Sequence, residues 1–353
     1  MTKSNKKILI TSLRGALATK QSHASIVIEI KNRESSHEPG RKEKKEQRWG
    51  MRVFAYYILG LVIRGVFFLS SLVPERSFVY CTRKGAALYV ASSRRYRERI
   101  TKNLKIAFGA SYQPEKTEVF IKELGNHLGI SIAEMFFSTT SRRQDLVKRM
   151  RIQGAEHLEK ALALGRGVIA VSAHFGNFTL IGMKMCAEGY PFASLVKDPK
   201  YKAVAKALRM LQEKQKARFI YVQPWKEALR NILTRLRSNE IVCMITDEKK
   251  KHSGVEVDFF GQPAATALGP AVISLRTGSP VVPVFIVRNG DGTHTIHVEP
   301  PLEHPVTGDR KEDERALTAA FTKVIERYVR AYPEQWFWIN SRWRYESISP
   351  SRV

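Results

Sequence analysis

The sequence is short of cysteine and lacks the common nucleotide and serine-hydrolase motifs. Its 353 residues include three cysteines, Cys81, Cys186 and Cys243, which lie far apart and never form a CxxC pair. We therefore expect neither a disulfide framework nor a cysteine zinc site, and we expect a reducing compartment. The absence of a P-loop and of GxGxxG argues against a nucleotide site, and the absence of GxSxG argues against a serine hydrolase.

Acidic residues are also scarce relative to basic ones. The chain has 33 Asp and Glu against 59 Lys and Arg, which gives a formal net charge of +26. A surface this positive attracts phosphate-rich polymers, anionic lipid headgroups or an acidic carrier protein. Charge alone does not choose among them. Nucleic-acid binding rests on charge alone, because no recognisable nucleic-acid-binding module is present.

The N-terminal part divides into a polar and an apolar stretch. Residues 31–50 contain almost no aliphatic side chains, so we predict a basic flexible tail or linker over residues 1–50. Residues 53–73 are apolar except for Arg64, and 21 residues match a hydrocarbon core of about 30 Å. We predict a membrane-anchoring helix over residues 51–75. A central Arg costs about 2.5–3.5 kcal/mol in the bilayer, and the alternative is a buried core helix.

Residues 76–164 have the pattern of a helical subdomain. Six cations and one acid occupy residues 94–105, a cluster typical of a solvated helix face or of a helix on an anionic surface. Residues 115–163 predict two or three amphipathic helices from apolar side chains at three-to-four spacing.

From residue 165 to residue 350 the pattern changes to short apolar runs that alternate with helical stretches. The predicted strands are 167–173, 192–196, 219–222, 241–246 and 281–287, with an edge strand at 295–300 and a closing helix at 312–331. This alternation predicts an α/β fold with a mostly parallel sheet flanked by helices.

One motif lies where catalytic groups of α/β sheets are found. In VSAHFGNF a predicted strand leads directly to His174, Gly176 and Asn177, and ligands bind at such strand ends. A histidine there can act as a general base near neutral pH, and a packing histidine is the alternative. Gly176 permits close backbone approach, while Asn177 offers an amide for positioning.

This motif resembles one in the bacterial lipid A biosynthesis acyltransferases, the lauroyl and myristoyl transferases of the wider lysophospholipid acyltransferase superfamily. The resemblance continues through residues 257–292, EPPLE (299–303) and PEQWFWINSRW (333–343), and covers about 290 residues from Met51. It implies a glycerolipid acyltransferase-like core. It also implies that His174 deprotonates the acceptor hydroxyl for attack on a thioester.

The chain departs from the family signature at one position. The family has Asp or Glu five positions after this histidine, whereas this sequence has Thr179, which supplies no negative charge. We expect Asp247, at the end of the strand predicted over 241–246, to replace that acid or to act with it. Glu248 is a second candidate and Glu134 a remote third.

The resemblance also implies binding residues outside the motif. Lys197 stands where the family has an arginine, and Arg209 matches a family arginine. Both are candidates for phosphate binding. The alternative for both is an ordinary solvated cation. FFGQPAAT, with Gly261, resembles an acyl-binding or acceptor-binding loop before a helix N-terminus, and Arg276 ends that helix. Asn177 and Thr179 complete the predicted substrate-binding set. For Trp336, Trp338 and Trp343 the alternatives are core packing and a belt at the membrane interface.

The implied function is transfer of a fatty acyl group from acyl carrier protein to a hydroxyl of a lipid A precursor. The implied cellular location is the cytoplasmic face of the bacterial inner membrane. The implied reaction uses no metal or cofactor. Acyl carrier protein, the lipid A precursor and the membrane surface are the expected partners, and nucleic acid is not. Two alternatives stay open: the same chemistry on another glycolipid or a lysophospholipid with acyl-CoA as donor, and a non-catalytic lipid-binding homologue.

Overall fold

The computed structural model describes residues 57–198, 202–249, 254–303 and 307–345. The chain separates into two units, Met1–Leu59 and Gly60–Val353. Of the first unit only residues 57–59 are described, and these are helical. The tail predicted over residues 1–50 lies outside the described residues.

Helices make up most of the described residues from 57 to 148, and further helices lie between several of the strands that follow. We number them α1 (57–72), α2 (Glu75–Ser92), α3 (Arg94–Phe108), α4 (Thr117–Phe137), α5 (Arg143–Lys148), α6 (Ala155–Leu162), α7 (Ile181–Ala187), α8 (Lys202–Lys214), α9 (Trp225–Arg237), α10 (Gly269–Thr277) and α11 (Arg310–Ala331).

The strands are β1 (Met150–Gln153), β2 (Val168–Ser172), β3 (Phe192–Val196), β4 (Arg218–Tyr221), β5 (Ile241–Ile245), β6 (Gly254–Phe259), β7 (Gln262–Ala267), β8 (Val281–Arg288) and β9 (His294–Val298). Seven of them form one sheet in the order β1-β9-β8-β2-β5-β3-β4. The run from β8 to β4 is parallel, whereas β9 is antiparallel to β8 and parallel to β1. The predicted α/β fold with a mostly parallel sheet is confirmed.

The register of β2 and β5 places two predicted site residues side by side. Both strands are apolar and almost entirely buried, as expected for central strands covered by helices on both faces. Ser172 pairs with Ile245 at their carboxyl ends. His174 and Asp247 each follow two residues later.

Helix α4 lies beside the carboxyl ends of β2 and β5, and α2 packs closely against it. A Cβ on Gly129 would lie 2.4 Å from the Thr82 carbonyl oxygen, and one on Gly125 would lie 2.6 Å from Cα of Ala87. Any larger residue at these positions would push the two helices apart. Helix α3 is joined to the C-terminal segment, where the Asn103 amide donates to the carbonyl oxygens of Trp338 and Asn340, both at 2.8 Å.

Several sequence expectations are wrong in detail. The strand predicted at the edge, β9, is second from the edge, because β1 pairs with it from within a segment predicted to be helical. The FFGQPAAT segment belongs to a β-hairpin of β6 and β7 rather than to a loop, although a helix, α10, does begin shortly after it, as predicted. Gly261 lies in the hairpin turn with a φ of 70°, and its N–H donates to the Asp258 carboxylate.

The apolar segment predicted as an anchor is only partly described. Helix α1 ends at residue 72, and Pro74 precedes α2. No helix of the described residues has both the length and the apolar character that a membrane span needs. The membrane-anchoring helix therefore stays a prediction. The buried-helix alternative is wrong for the described residues, because Leu61, Val62 and Phe68 are exposed.

The cations of residues 94–105 are partly used inside the fold. Arg99 donates to the Ile339 carbonyl oxygen at 3.0 Å, Arg97 pairs with Glu118, and Nζ of Lys102 lies 4.2 Å from the ring centroid of Tyr345. These contacts fix α3 against the rest of the fold, so the cluster is more than a solvated face.

Candidate active site

The loop that carries His174 is held on both sides by backbone contacts. Gly176 has a φ of 53°, and a Cβ there would lie 2.0 Å from the Ile286 carbonyl oxygen, so only glycine fits. Its N–H donates to the Gln335 carbonyl oxygen at 2.8 Å. The His174 carbonyl oxygen accepts from the N–H of Phe337 at 3.0 Å. Strand β8 and the 333–338 segment therefore fix where the imidazole stands.

His174 and Asp247 form a hydrogen-bonded pair. Nδ1 of His174 lies 2.8 Å from Oδ1 of Asp247, and Oδ2 accepts from the His174 backbone N–H at 3.0 Å. The same Oδ2 accepts from the indole N–H of Trp336 at 2.8 Å. With Nδ1 protonated toward the carboxylate, Nε2 is left as the basic nitrogen. The nearest recorded carboxylate on that side, Glu248, is 3.9 Å away.

The electrostatics of this pair favour a charged imidazole. Burial lowers the pKa of His174, but the charge and hydrogen bond of Asp247, with a further contribution from Glu248, raise it above its ordinary value. Burial raises the pKa of Asp247, while the charge and hydrogen bonds of His174 and the Trp336 indole lower it overall. A buried carboxylate thus stabilises the imidazolium that forms when Nε2 takes a proton.

A cavity of about 150 Å³ opens beside this pair. Helix α4 presents an apolar stripe to it at three-to-four spacing, and the loop and the C-terminal segment supply aromatic rings. The lining apolar side chains are Leu124, Leu128, Ile132, Met135, Phe178 and Phe337. Polar groups are interspersed on the same walls, among them His127, Ser131, Asn177, Thr179 and Arg288. Such mixed walls suit a ligand group that has both apolar and polar parts.

Thr179 and Asn177 belong to a buried polar network rather than to the His174 pair. The hydroxyl of Thr179 donates to Oδ1 of Asn177 at 2.5 Å. The Asn177 amide donates to the Ser131 carbonyl oxygen at 3.1 Å and to Glu134 at 2.9 Å. Both amide protons of Asn177 are therefore used to hold the His174 loop against α4. Glu134, the remote candidate acid, has its recorded contacts in this network and not with His174.

Glu134 is the charged centre of that network. Its carboxylate contacts Arg288 Nη2 at 2.7 Å and His294 Nε2 at 2.9 Å. Burial raises its pKa, but the hydrogen bond from His294 and the charge of Arg288 lower it to about 2. A buried pair of this kind costs desolvation and becomes strongly destabilising when one partner is removed. The network ties α4 to β8 and β9 behind the cavity.

The other predicted binding residues do not line this cavity. Lys197 is exposed beyond β3, and Arg276 is exposed in the last turn of α10. Arg209 is exposed on α8, where it pairs with Asp198 and stacks 4.3 Å from the ring centroid of Tyr221. Gly261, in the hairpin turn, is also absent from the lining residues. The structure therefore brings together His174, Asp247, Asn177 and Thr179 but not these four.

The three C-terminal tryptophans are buried, which excludes the interfacial belt. Trp336, Trp338 and Trp343 are at most 2% exposed. Sequence reasoning missed the contact of Trp336 with Asp247. The indole N–H of Trp338 donates to the Pro333 carbonyl oxygen, and that of Trp343 to the Phe259 carbonyl oxygen. A buried indole needs an acceptor, but spacing alone does not say that one of three would find the carboxylate.

Curated relatives match most of the chain at low identity. The phosphatidylinositol mannoside acyltransferase of Mycobacterium tuberculosis is 26% identical over 213 residues, 60% of this chain and 66% of that enzyme. The chain thus spans just under two thirds of that relative's length. The lipid A biosynthesis palmitoleoyltransferase of Escherichia coli K12 is 25% identical over 257 residues, 71% of this chain and 80% of the relative. A lipid A biosynthesis acyltransferase of Haemophilus influenzae is 23% identical over 301 residues, 84% of this chain and 87% of the relative.

The family model described as bacterial lipid A biosynthesis acyltransferase matches residues 44–345. That range includes α1, the whole seven-stranded sheet and the buried tryptophan segment. With most of its length matched, this chain belongs to the bacterial lipid A biosynthesis acyltransferase family.

Proposed function

We propose that this protein is an O-acyltransferase that moves a fatty acyl group from a carrier thioester to a hydroxyl of a lipid A precursor or a related glycolipid. The observation that carries the proposal is the contact of 2.8 Å between His174 Nδ1 and Asp247 Oδ1, beside a cavity with an apolar stripe. The family membership and the named activities of the relatives support the same reaction class.

In this mechanism His174 acts as general base and then as general acid. Nε2 takes the proton of the acceptor hydroxyl as its oxygen attacks the thioester carbonyl carbon. The C–O bond forms, the C–S bond breaks, and the proton passes from Nε2 to the leaving sulfur. Asp247 stabilises the imidazolium in between and keeps the proton on Nδ1 when the ring is neutral.

We propose acyl carrier protein as the donor and the membrane surface as the place of reaction. The charge of +26 favours an acidic carrier and anionic headgroups. Exposed apolar side chains on α1 and α2 would contact the acyl region of a bilayer. They are Leu61, Val62, Phe68, Leu69, Leu72, Tyr80, Leu88 and Tyr89. We propose the cytoplasmic face of the inner membrane as the location, as the family resemblance implies. No cofactor takes part in the proposed chemistry.

The lipids of the cell test this proposal directly. Deleting the gene should remove one acyl chain from lipid A or from another glycolipid, and mass spectrometry would identify the lipid and the chain length. Wild type and Lys160→Ala, a change at an exposed position outside the cavity, should restore that chain. His174→Ala should not restore it. An unchanged lipid profile after deletion would contradict the proposed reaction, and full restoration by His174→Ala would favour a lipid-binding role.

A further inference from the structure

A second histidine lines the same cavity as His174. His127 lies on α4, on the helix face that also carries Ser131 and Glu134 at intervals of four and three residues. Arg288 reaches along this face from the end of β8. Its Nη1 lies 3.1 Å from Nδ1 of His127, and its Nη2 donates to Ser131 at 2.9 Å and to Glu134 at 2.7 Å.

The contact with Arg288 determines which nitrogen of His127 carries a proton. A guanidinium has only donors, so Nδ1 of His127 must accept. Burial and the charge of Arg288 lower the pKa of His127 to about 4, against an opposing effect of Glu134. The ring is therefore neutral at neutral pH, with its single proton on Nε2.

That Nε2–H is available to a ligand. No described residue accepts a hydrogen bond from this N–H. Nε2 is also not among the atoms that are both fully buried and without a partner, so it is not sealed inside the fold. The hydroxyl and amide donors of three neighbouring side chains on the cavity wall are already used. The Ser131 hydroxyl donates to the His127 carbonyl oxygen, the Thr179 hydroxyl to Asn177, and both Asn177 amide protons to α4.

We propose that His127 is a second catalytic residue, which donates a hydrogen bond from Nε2 to the carbonyl oxygen of the acyl thioester. This inference rests on the proposed function. When the hydroxyl attacks, the carbonyl oxygen gains negative charge, and a fixed neutral donor stabilises that charge more in the transition state than in the ground state. Arg288 is the positioning residue, because it occupies Nδ1 and leaves the proton on Nε2.

Steady-state kinetics with matched variants test the role. Loss of one donor to a developing oxyanion costs about 10²–10³-fold in kcat. We expect His127→Phe to lower kcat by that order with the KM of the acyl donor little changed, and His127→Gln, which keeps an N–H, to recover most of the loss. His157→Phe, on α6 and outside the cavity, is the control and should match wild type. If His127→Phe does not fold, His127→Leu takes its place.

A spectroscopic measurement separates this proposal from the proposed reaction. In the His174→Ala background, a donor labelled with ¹³C at the thioester carbonyl binds without being consumed, and its carbonyl stretching frequency reports hydrogen bonding. We expect a lower frequency with His127 than with His127→Phe. Equal frequencies, or equal kcat losses for the Gln and Phe variants, would overturn the role of His127. An effect confined to the KM of the acceptor would overturn the assignment to the thioester oxygen. Absence of acyl transfer in wild type would instead refute the proposed function, and the frequency would still test His127.

Discussion

Replacing Asp247 with asparagine should abolish the general base while leaving the fold intact. Oδ2 of Asp247 accepts from two fixed donors, the His174 backbone N–H and the Trp336 indole N–H. An amide NH₂ cannot face two N–H groups, so the asparagine must turn its oxygen toward them. Its NH₂ then faces Nδ1 of His174, which must become the acceptor. The ring proton moves to Nε2, the nitrogen that has to take the proton of the hydroxyl.

The size of the effect follows from the loss of the correct tautomer and of the negative charge. The same substitution in a serine protease triad leaves the geometry intact and lowers kcat about 10⁴-fold. We expect a loss of that order here, with the KM of both substrates changed little because Asp247 is only 5% exposed. The assay is acyl transfer from a carrier thioester to glycolipid in detergent micelles, with the ¹⁵N shifts of His174 measured in parallel.

Two results would refute this reasoning. If Asp247→Asn keeps more than about a tenth of the wild-type kcat, the carboxylate does not set the tautomer of His174. If the ¹⁵N shifts still show the proton on Nδ1, the asparagine has taken an orientation that the two donors should forbid. Glu248→Gln is the control, because Glu248 lies 3.9 Å from His174 with more than half of its side chain exposed, and its kcat should change much less.

Four further predictions concern the same site. Because the pKa of His174 is raised from 6.5, kcat/KM should rise with pH through a value above 6.5, and a limb at or below 6.5 in the kcat/KM profile would contradict this. The pair's contribution to stability should be complete between pH 3.8, the ordinary pKa of the Asp247 carboxyl, and pH 6.5. It should decline above that range as the pH rises through the raised pKa of His174, and below it as the pH falls through the lowered pKa of Asp247, which thermal unfolding against pH would show. Trp336→Phe should lower kcat about tenfold, since it removes a hydrogen bond to a charged group, whereas Trp343→Phe removes an equal volume and should leave kcat unchanged; equal effects would refute the distinction. Glu134→Gln should cost about 3–5 kcal/mol in denaturant unfolding by leaving Arg288 buried and unpaired, and a loss below about 1 kcal/mol would contradict that account.

The sheet could be predicted because its central strands are buried on both faces. Runs such as those at 168–172 and 241–245 contain only apolar or small side chains and alternate with helices, which is the pattern of a covered parallel sheet. Once both strands are placed in parallel, their carboxyl ends fall at one edge. The proximity of His174 to Asp247 follows from that topology, whereas the catalytic role of the pair stays a prediction.

The elements that the sequence did not predict depend on long-range partners. Strand β1 has four residues, and only Met150 of them is buried. Its residues, MRIQ, alternate apolar and polar side chains, but four residues are too few to distinguish a strand from the surrounding helical pattern, and the pairing with β9, more than 140 residues away, decides the structure. The β6–β7 hairpin was missed because its turn places Phe260 at a φ of 61°, which the sequence signals only through Gly261.

The buried polar network could not be predicted from the sequence, because it too depends on long-range partners. Glu134, Arg288 and His294 each read as an ordinary polar residue in its own element, and only the packing of α4 against β8 and β9 makes them one buried group. No sequence motif marks His127 as a candidate site residue either. Its neutral state and its tautomer are properties of Arg288, a residue 161 positions later in the chain.

Two separate roles near His174 explain how the position where the family has an acid can hold a threonine. Two tasks fall to residues near His174: supplying negative charge at Nδ1 and holding the loop against α4. Asp247 supplies the charge from the neighbouring strand at 2.8 Å. Thr179 takes part in the second task, since it reaches Glu134 through Asn177 and so ties the loop to a carboxylate that Arg288 keeps ionised. Because the two tasks use different side chains on different elements, position 179 can lose its charge without removing the carboxylate from the imidazole.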